Sequence, residues 1–174
     1  MAEPPGVVVR YERPGDEDGV SAVNRRAFAR TAEARLVDRL RAAGRYECAL
    51  VAEEEGRIVG HIVFTRVAAD TQPEDVTLVG LGPVAVDPDR QGNGIGALLC
   101  RTGIARVAAA GADAVVLLGH DTYYPRFGFT PAGRHGLRYR DVPEDSPHFM
   151  CLEITPGTLL RVFGEVRYPP EFSE

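Results

Sequence analysis

Val84-Ala85-Val86-Asp87-Pro88-Asp89-Arg90-Gln91-Gly92-Asn93-Gly94-Ile95-Gly96-Ala97-Leu98-Leu99 carries an apolar strand into a glycine-rich turn, and the turn into a helix. The first amides of a helix have no intrahelical partner and point out of its N-terminus. The helix dipole adds partial positive charge there. Glycine at 92, 94 and 96 removes the side chains that would hold a bulky anion away from those amides. A pyrophosphate is the natural ligand. Gly92-x-Gly94-x-x-Ala97 also fits the dinucleotide fingerprint G-x-G-x-x-G/A, with Asp121 near the end of the next strand. A dinucleotide domain, however, opens on that motif and continues in βαβ repeats. Here a hairpin precedes the motif and no second repeat follows. Nor does the loop carry the Gly-Lys-Ser/Thr of a P-loop.

Working outward, Val7–Arg13 is β-branched and reads as a strand. Asp16–Ala29 reads as a helix with acidic residues at its start and Val20, Val23, Ala27 and Phe28 on one side. Thr31 caps a second helix, with Leu36, Val37 and Leu40 facing inward and Gly44 ending it. Ala49–Glu53 and Ile58–Val67 form an antiparallel hairpin through Glu54-Glu55-Gly56-Arg57. Asp70–Glu74 is a turn. Val76–Val86 is a long strand interrupted by Gly80, Gly82 and Pro83, residues that mark a bulge or a close approach to the backbone. Gly94–Ala110 is a helix with Ile95, Leu98, Leu99, Thr102 and Ala105 on its buried side. Val115–Leu118 is apolar throughout, hence buried on both faces. A short helix over Thr122–Phe127 and strands including Phe149–Thr155 and Arg161–Arg167 complete the order β-α-α-β-β-β-α-β-α-β-β. The result is a mixed sheet, mainly antiparallel early, with one parallel crossover through the glycine-capped helix.

The 174 residues make one domain, 1–174, and can bury a continuous core without metals or disulfides. A formal charge of −5 argues against a general nucleic-acid binder. Cys48, Cys100 and Cys151 show neither metal-ligand spacing nor a disulfide framework, so no metal is expected. The start Met-Ala-Glu-Pro-Pro-Gly has no secretory pattern, and no apolar run is long enough to cross a bilayer. A cytoplasmic protein with no membrane partner is expected. The tail Arg167–Phe172 reads as a surface segment open to a subunit contact, in a homodimer for example.

Gln91-x-x-Gly94-x-Gly96, following Val84–Pro88, resembles the CoA-pyrophosphate motif of the GNAT acetyltransferase superfamily. Tyr123-Tyr124-Pro125-Arg126-Phe127-Gly128-Phe129 resembles that superfamily's second signature. The two lie one helix and one strand apart, as in the family, and the element order matches over roughly the whole chain. The resemblance implies an acyl-CoA N-acyltransferase fold: an α/β (mixed α+β) domain whose central, mostly antiparallel sheet has a bulged, splayed strand pair and flanking helices. It implies acetyl-CoA as co-substrate and a small-molecule or peptide amine as acceptor, its identity left open. The amides of Gln91, Gly92, Asn93, Gly94, Ile95, Gly96 and Ala97 would hold the pyrophosphate. The main chain of Val84, Ala85 and Val86 would run beside the pantetheine arm. The Gly80–Pro83 interruption would open the sheet, and a bulge amide near Val84 would meet the developing oxyanion.

The family works by direct attack of an amine on the thioester. Tyr124 sits at its acid position, to protonate the leaving thiolate. The amine must also lose a proton, since an alkyl ammonium has a pKa near 10.4. His120, Glu33 and His61 are the candidate bases, alongside a water chain. Two other readings remain at this level: a non-catalytic acyl-CoA-binding module of the same fold, and a dinucleotide-dependent oxidoreductase.

Overall fold

A computed structural model of the chain describes residues 4–173. Residues 1–3, part of the N-terminal stretch read as non-secretory, lie outside the described residues. β1 (Val7–Tyr11) leads to α1 (Glu17–Phe28) and α2 (Ala32–Ala42), then β2 (Tyr46–Glu54), β3 (Arg57–Thr71) and β4 (Leu78–Val86). α3 (Ile95–Ala109) and β5 (Ala114–Leu118) follow, then β6 (Thr130–Pro131), β7 (Leu137–Arg138), β8 (Phe149–Glu153) and β9 (Phe163–Arg167). The sheet order is β1-β2-β3-β4-β5-β8-β6, while β9 pairs with the far end of β3 and with β7. The first four strands are antiparallel, and β4–β5 is the parallel crossover spanned by α3. No helix among the described residues is long and apolar enough to cross a membrane.

Local chemistry accounts for the elements. Glu55 and Gly56 both take positive φ, 50° and 77°, the geometry that suits a two-residue hairpin between twisted strands. Gly44 ends α2 in the left-handed region, and the Arg45 amide reaches back to the Leu40 carbonyl at 2.9 Å. Thr31 does hold the N-cap position, but its hydroxyl caps no amide. β3 runs past the expected turn at Asp70, because its last residues find a partner in β9 that is far away in sequence. The short helix expected over Thr122–Phe127 is a single 3-10 turn, Tyr124–Phe127. β6 and β7 are two-residue strands with no period to read.

Phe64, Ile95, Leu99, Val115 and Phe129 pack between the sheet and α3. Residue 105 is exposed, contrary to its expected inward position; the α3 seam instead follows Ile95, Leu99, Gly103 and Val107. The reason is Gly103, whose missing side chain admits the Phe64 ring. α1 and α2 cover the opposite face, where Val20, Val37 and Leu40 cluster with Val63 of β3. Further along that face Val67, Leu78, Val116 and Phe149 form a separate cluster, with Tyr168 packed against it. The tail therefore does not lie over the surface as its prolines suggested, since Tyr168 and Phe172 are both packed inward.

His61 is fully buried beneath α1. Asn24 donates to the Val20 carbonyl at 2.9 Å and to His61 Nδ1 at 3.3 Å. On the other side of the ring, His61 Nε2 donates to Glu12 Oε2 at 3.0 Å. Arg41 donates to the other Glu12 oxygen at 2.6 Å. Burial opposes ionisation of Glu12, but the bonds from His61 and Arg41 outweigh it and hold the carboxyl below its ordinary range. A depressed carboxylate contributes stability above its unfolded pKa and loses it as pH falls through the folded value. Glu12→Gln is expected to lower stability by about 2 kcal/mol at pH 7. In thermal denaturation the gap from wild type should narrow as pH drops below the ordinary carboxylate range. A gap of constant size would show that the charge is not what matters.

Candidate active site

β4 and β5 pair at Leu78↔Ala114, Val79↔Val115 and Gly80↔Val116, and no further. β4 runs on to Val86 beside β3, while β5 continues to Leu118 beside β8. The two strands therefore part beyond Gly80. Between Leu81 and Val84, β4 spends three steps against two on β3, from Phe64 to Ile62. The extra residue is the bulge at Gly82–Pro83. Proline has no amide to give to a ladder, and glycine lets the strand bend without a side chain.

The turn after β4 opens onto this gap. The Asp87 carboxylate accepts from the Asp89 amide and pairs with Arg26 of α1 at 2.9 Å, which pins the turn to the rest of the fold. Gly92 and Gly94 take φ of 78° and 84°, where other residues are strained. The first α3 bond is Leu98 amide to Gly94 carbonyl. Amides 92 through 97 find no acceptor among the described residues. Six consecutive N–H groups at the positive end of a 15-residue helix are therefore left without an acceptor among the described residues. A Cβ on Gly96 would lie 3.0 Å from the Tyr123 hydroxyl, tight enough that the ring would have to shift.

A cavity of about 690 Å³ joins the gap to these amides. It reaches both sheet faces. Gly94, Ile95 and Gly96 line it on the α3 side, and Ala27 and Phe28 from the end of α1 on the other. Val84, Val86, Tyr124 and His120 stand between them. The Tyr124 ring packs edge-on against Tyr123 at 5.1 Å and against Phe129 at 5.9 Å, and it lies over Gly119. Its hydroxyl makes no hydrogen bond among the described residues. Burial pushes its pKa well above the ordinary phenol value, so the group keeps its proton. His120 is exposed at the cavity edge. Arg126 stacks on the Tyr123 ring, 4.4 Å from its centroid, and Arg90 pairs with Glu54; both reach the cavity.

The expected site residues are thus mostly brought together. Gln91, Gly92, Gly94, Ile95, Gly96, Ala97, Val84, Val86, Tyr124 and His120 share one cavity. Ala85 faces the buried side beneath α1, where it pairs with His61, and Asn93 turns its amide back to the carbonyls of Arg90 and Gln91. Gln91 donates to the Val86 carbonyl at 3.1 Å. Glu33 lies outside the lining and pairs with Arg30, 3.1 Å away. His61 also lies outside it, bound in the Glu12 network. No group of three or more metal-ligand side chains gathers among the described residues. Ala27 and Phe28 were read only as core; nothing local marks a helix end as a cavity wall.

The acetyltransferase (GNAT) domain model matches residues 8–132, most of the chain. The chain belongs to the GNAT acetyltransferase family. The uncharacterized N-acetyltransferase YhbS of Escherichia coli is 38% identical over 168 residues, covering 96% of this chain and 99% of its own. The crystal structure of E. coli YhbS in complex with CoA superposes with a TM-score of 0.89 at 36% identity, over 100% of this chain and 96% of that one. A GNAT family acetyltransferase from Brucella melitensis in complex with acetyl-CoA gives 0.78 at 37% identity, over 95% and 97%. Like these relatives, this GNAT chain is an acyltransferase. The dinucleotide reading fails on the fold: β4 is antiparallel to the strand before it, and among the described residues no second βαβ unit follows α3.

Gly94→Ala would place a side chain at φ 84° with open space around it. The expected loss is about 1 kcal/mol, from backbone strain alone. Thermal denaturation checks it, and a much larger loss would mean that the turn is packed rather than open.

Proposed function

We propose that this GNAT enzyme transfers acetyl from acetyl-CoA to an amine by direct attack in a ternary complex. The observation that carries the reading is the cavity that passes between parted strands and opens on both faces. Acetyl-CoA supplies the activated acyl carbon. The row of free amides from Gly92 to Ala97, beside Gln91, suits its diphosphate. The free edge of β4 at Val84 and Val86 suits an extended amide-bearing arm, with Gln91 releasing the Val86 carbonyl.

Nothing in the lining offers a covalent intermediate. No Ser, Thr or Cys lines the cavity among the described residues. Cys100 is buried, and that burial pushes its thiol up to about 12, away from the thiolate a nucleophile needs. The amine therefore attacks unaided by an acyl-enzyme. The Val84 amide, just past the bulge, donates to the developing oxyanion. Tyr124, protonated and without a hydrogen-bond partner, gives its proton to the departing thiolate. His120 takes the proton of the incoming ammonium. Of the three candidate bases it alone lines the cavity. Three buried, unpaired cysteines suit a reducing compartment, and the cytoplasm is the location they support.

Acetyl-CoA at 100 times its Kd should stabilise the protein by about 2.7 kcal/mol, whereas NAD should leave the Tm unchanged. No shift with acetyl-CoA would sink the proposal. Tyr124→Phe should lower kcat about 100-fold while preserving that shift. Unchanged turnover would remove Tyr124 as the acid. The raised Tyr124 pKa also means that kcat should not fall at the ordinary phenol pKa of about 10. For the base, His120→Ala should erase the limb of the kcat/KM–pH profile where activity rises with pH. A limb that persists would hand the role to water.

A further inference from the structure

The segment after β9 backs the gap between β4 and β5 on the face opposite α3. The Tyr168 hydroxyl donates to the Val116 carbonyl at 3.2 Å. Val116 is the residue at which pairing with β4 stops. The Tyr168 ring lies against Gly80, where even a methyl group would collide with it. Phe172 packs on Tyr168 with centroids 4.8 Å apart, and a Cβ on Gly82 would lie 3.7 Å from its ring. Gly82 is itself a wall of the cavity. The segment is held from the α2 side: Arg39 donates to the Glu171 carbonyl at 3.0 Å and Arg45 to its carboxylate at 3.2 Å.

The cavity wall supplied by α1 and the parted strand ends is apolar: Ala27 and Phe28 come from α1, Pro83 from the bulge and Leu118 from the end of β5, and Leu118 is 52% exposed, a large apolar surface left uncovered. No Asp or Glu lines the cavity among the described residues, while Arg90, Arg126 and His120 do. A polycation brought here would hold a second ammonium out of water with no carboxylate to meet it, which is strongly unfavourable. An apolar body gains about 25 cal/mol for each Å² it buries.

We infer that the space against this wall is the acceptor subsite, that Tyr168 and Phe172 set its shape through Gly80 and Gly82, and that its ligand is a monoamine on an apolar body. The inference rests on the acetyl transfer proposed above. Tyr168 and Phe172 are positioning residues: they hold the bulge from behind and do not touch the reacting atoms.

The test compares kcat/KM for phenethylamine, ethanolamine and spermidine at saturating acetyl-CoA, in wild type, Phe172→Ala, Phe172→Leu and Tyr168→Phe. Wild type should favour phenethylamine over spermidine by at least about tenfold. Phe172→Ala should change the phenethylamine-to-ethanolamine ratio at least about fivefold, with the KM for acetyl-CoA within about twofold of wild type. Phe172→Leu should recover part of the ratio. A preference for spermidine overturns the subsite, and so does an unchanged ratio in a folded Phe172→Ala. If Phe172→Ala does not fold, Phe172→Leu and Tyr168→Phe carry the comparison, and unchanged ratios in both overturn it. Wild type that transfers acetyl to none of the three amines overturns both this subsite and the function it rests on. Wild type that transfers acetyl, with variants that keep its preferences, overturns the subsite alone.

Discussion

Three residues of pairing between β4 and β5, ending at Gly80↔Val116, are the constraint on which the rest of the site depends. A parallel ladder closed to the ends of both strands would leave no gap. Two features stop it. On β4 the Gly82–Pro83 bulge turns the strand and removes one donor. On β5 the Val116 carbonyl accepts from Tyr168, a side chain that arrives some 50 residues later. The strands then part with each still paired on its outer side, β4 to β3 and β5 to β8. The gap therefore leaves unpaired main chain only along its inner edges, where an extended ligand can meet it.

The parts of this design that were legible in the sequence are those that backbone chemistry writes locally. Glycine at 92, 94 and 96 has one economical explanation in front of a helix, and the glycine and proline of β4 could not sit in a regular strand. The paired tyrosines at 123 and 124 carried a family pattern. What escaped notice depends on partners distant in sequence. Nothing local marks Asn24 of α1 for burial, yet it is fully buried with its side-chain nitrogen against the Val20 carbonyl and His61. Ala105 looked apolar and so inward, but the path of the α3 seam was set by Phe64 against Gly103. Tyr168 and Phe172 followed a charged strand and flanked two prolines, a composition that suggests surface. Only the tertiary fold reveals that Gly80 and Gly82 leave room for their rings.

Charge is arranged to the same end. The chain is acidic overall at −5, yet the cavity is lined by arginines and a histidine, with no acid among the described residues. The acids near the turn are already engaged: Asp87 with Arg26, Glu54 with Arg90. An anionic ligand thus meets free amides, a helix N-terminus and partly committed arginines, rather than a broad basic surface. That is the field expected for a compact diphosphate, and it would be a poor one for a polymer of phosphates.

The same lining bears on how an amine could react here. Direct attack needs a neutral nitrogen, a polarised carbonyl and a protonated leaving group, all within one desolvated space. A carboxylate in that space would hold an ammonium in its charged, unreactive form. The cavity instead presents a cation-rich wall and an exposed imidazole, which favour the neutral amine. Tyr124 complements this arrangement, because the burial that raises its pKa keeps a proton ready where a thiolate would form. In the proposed transfer this environment would push the two ends of the reaction in opposite directions, releasing a proton on the amine side and retaining one on the sulfur side. Both tendencies follow from placing the chemistry between strands that the bulge and Tyr168 hold apart.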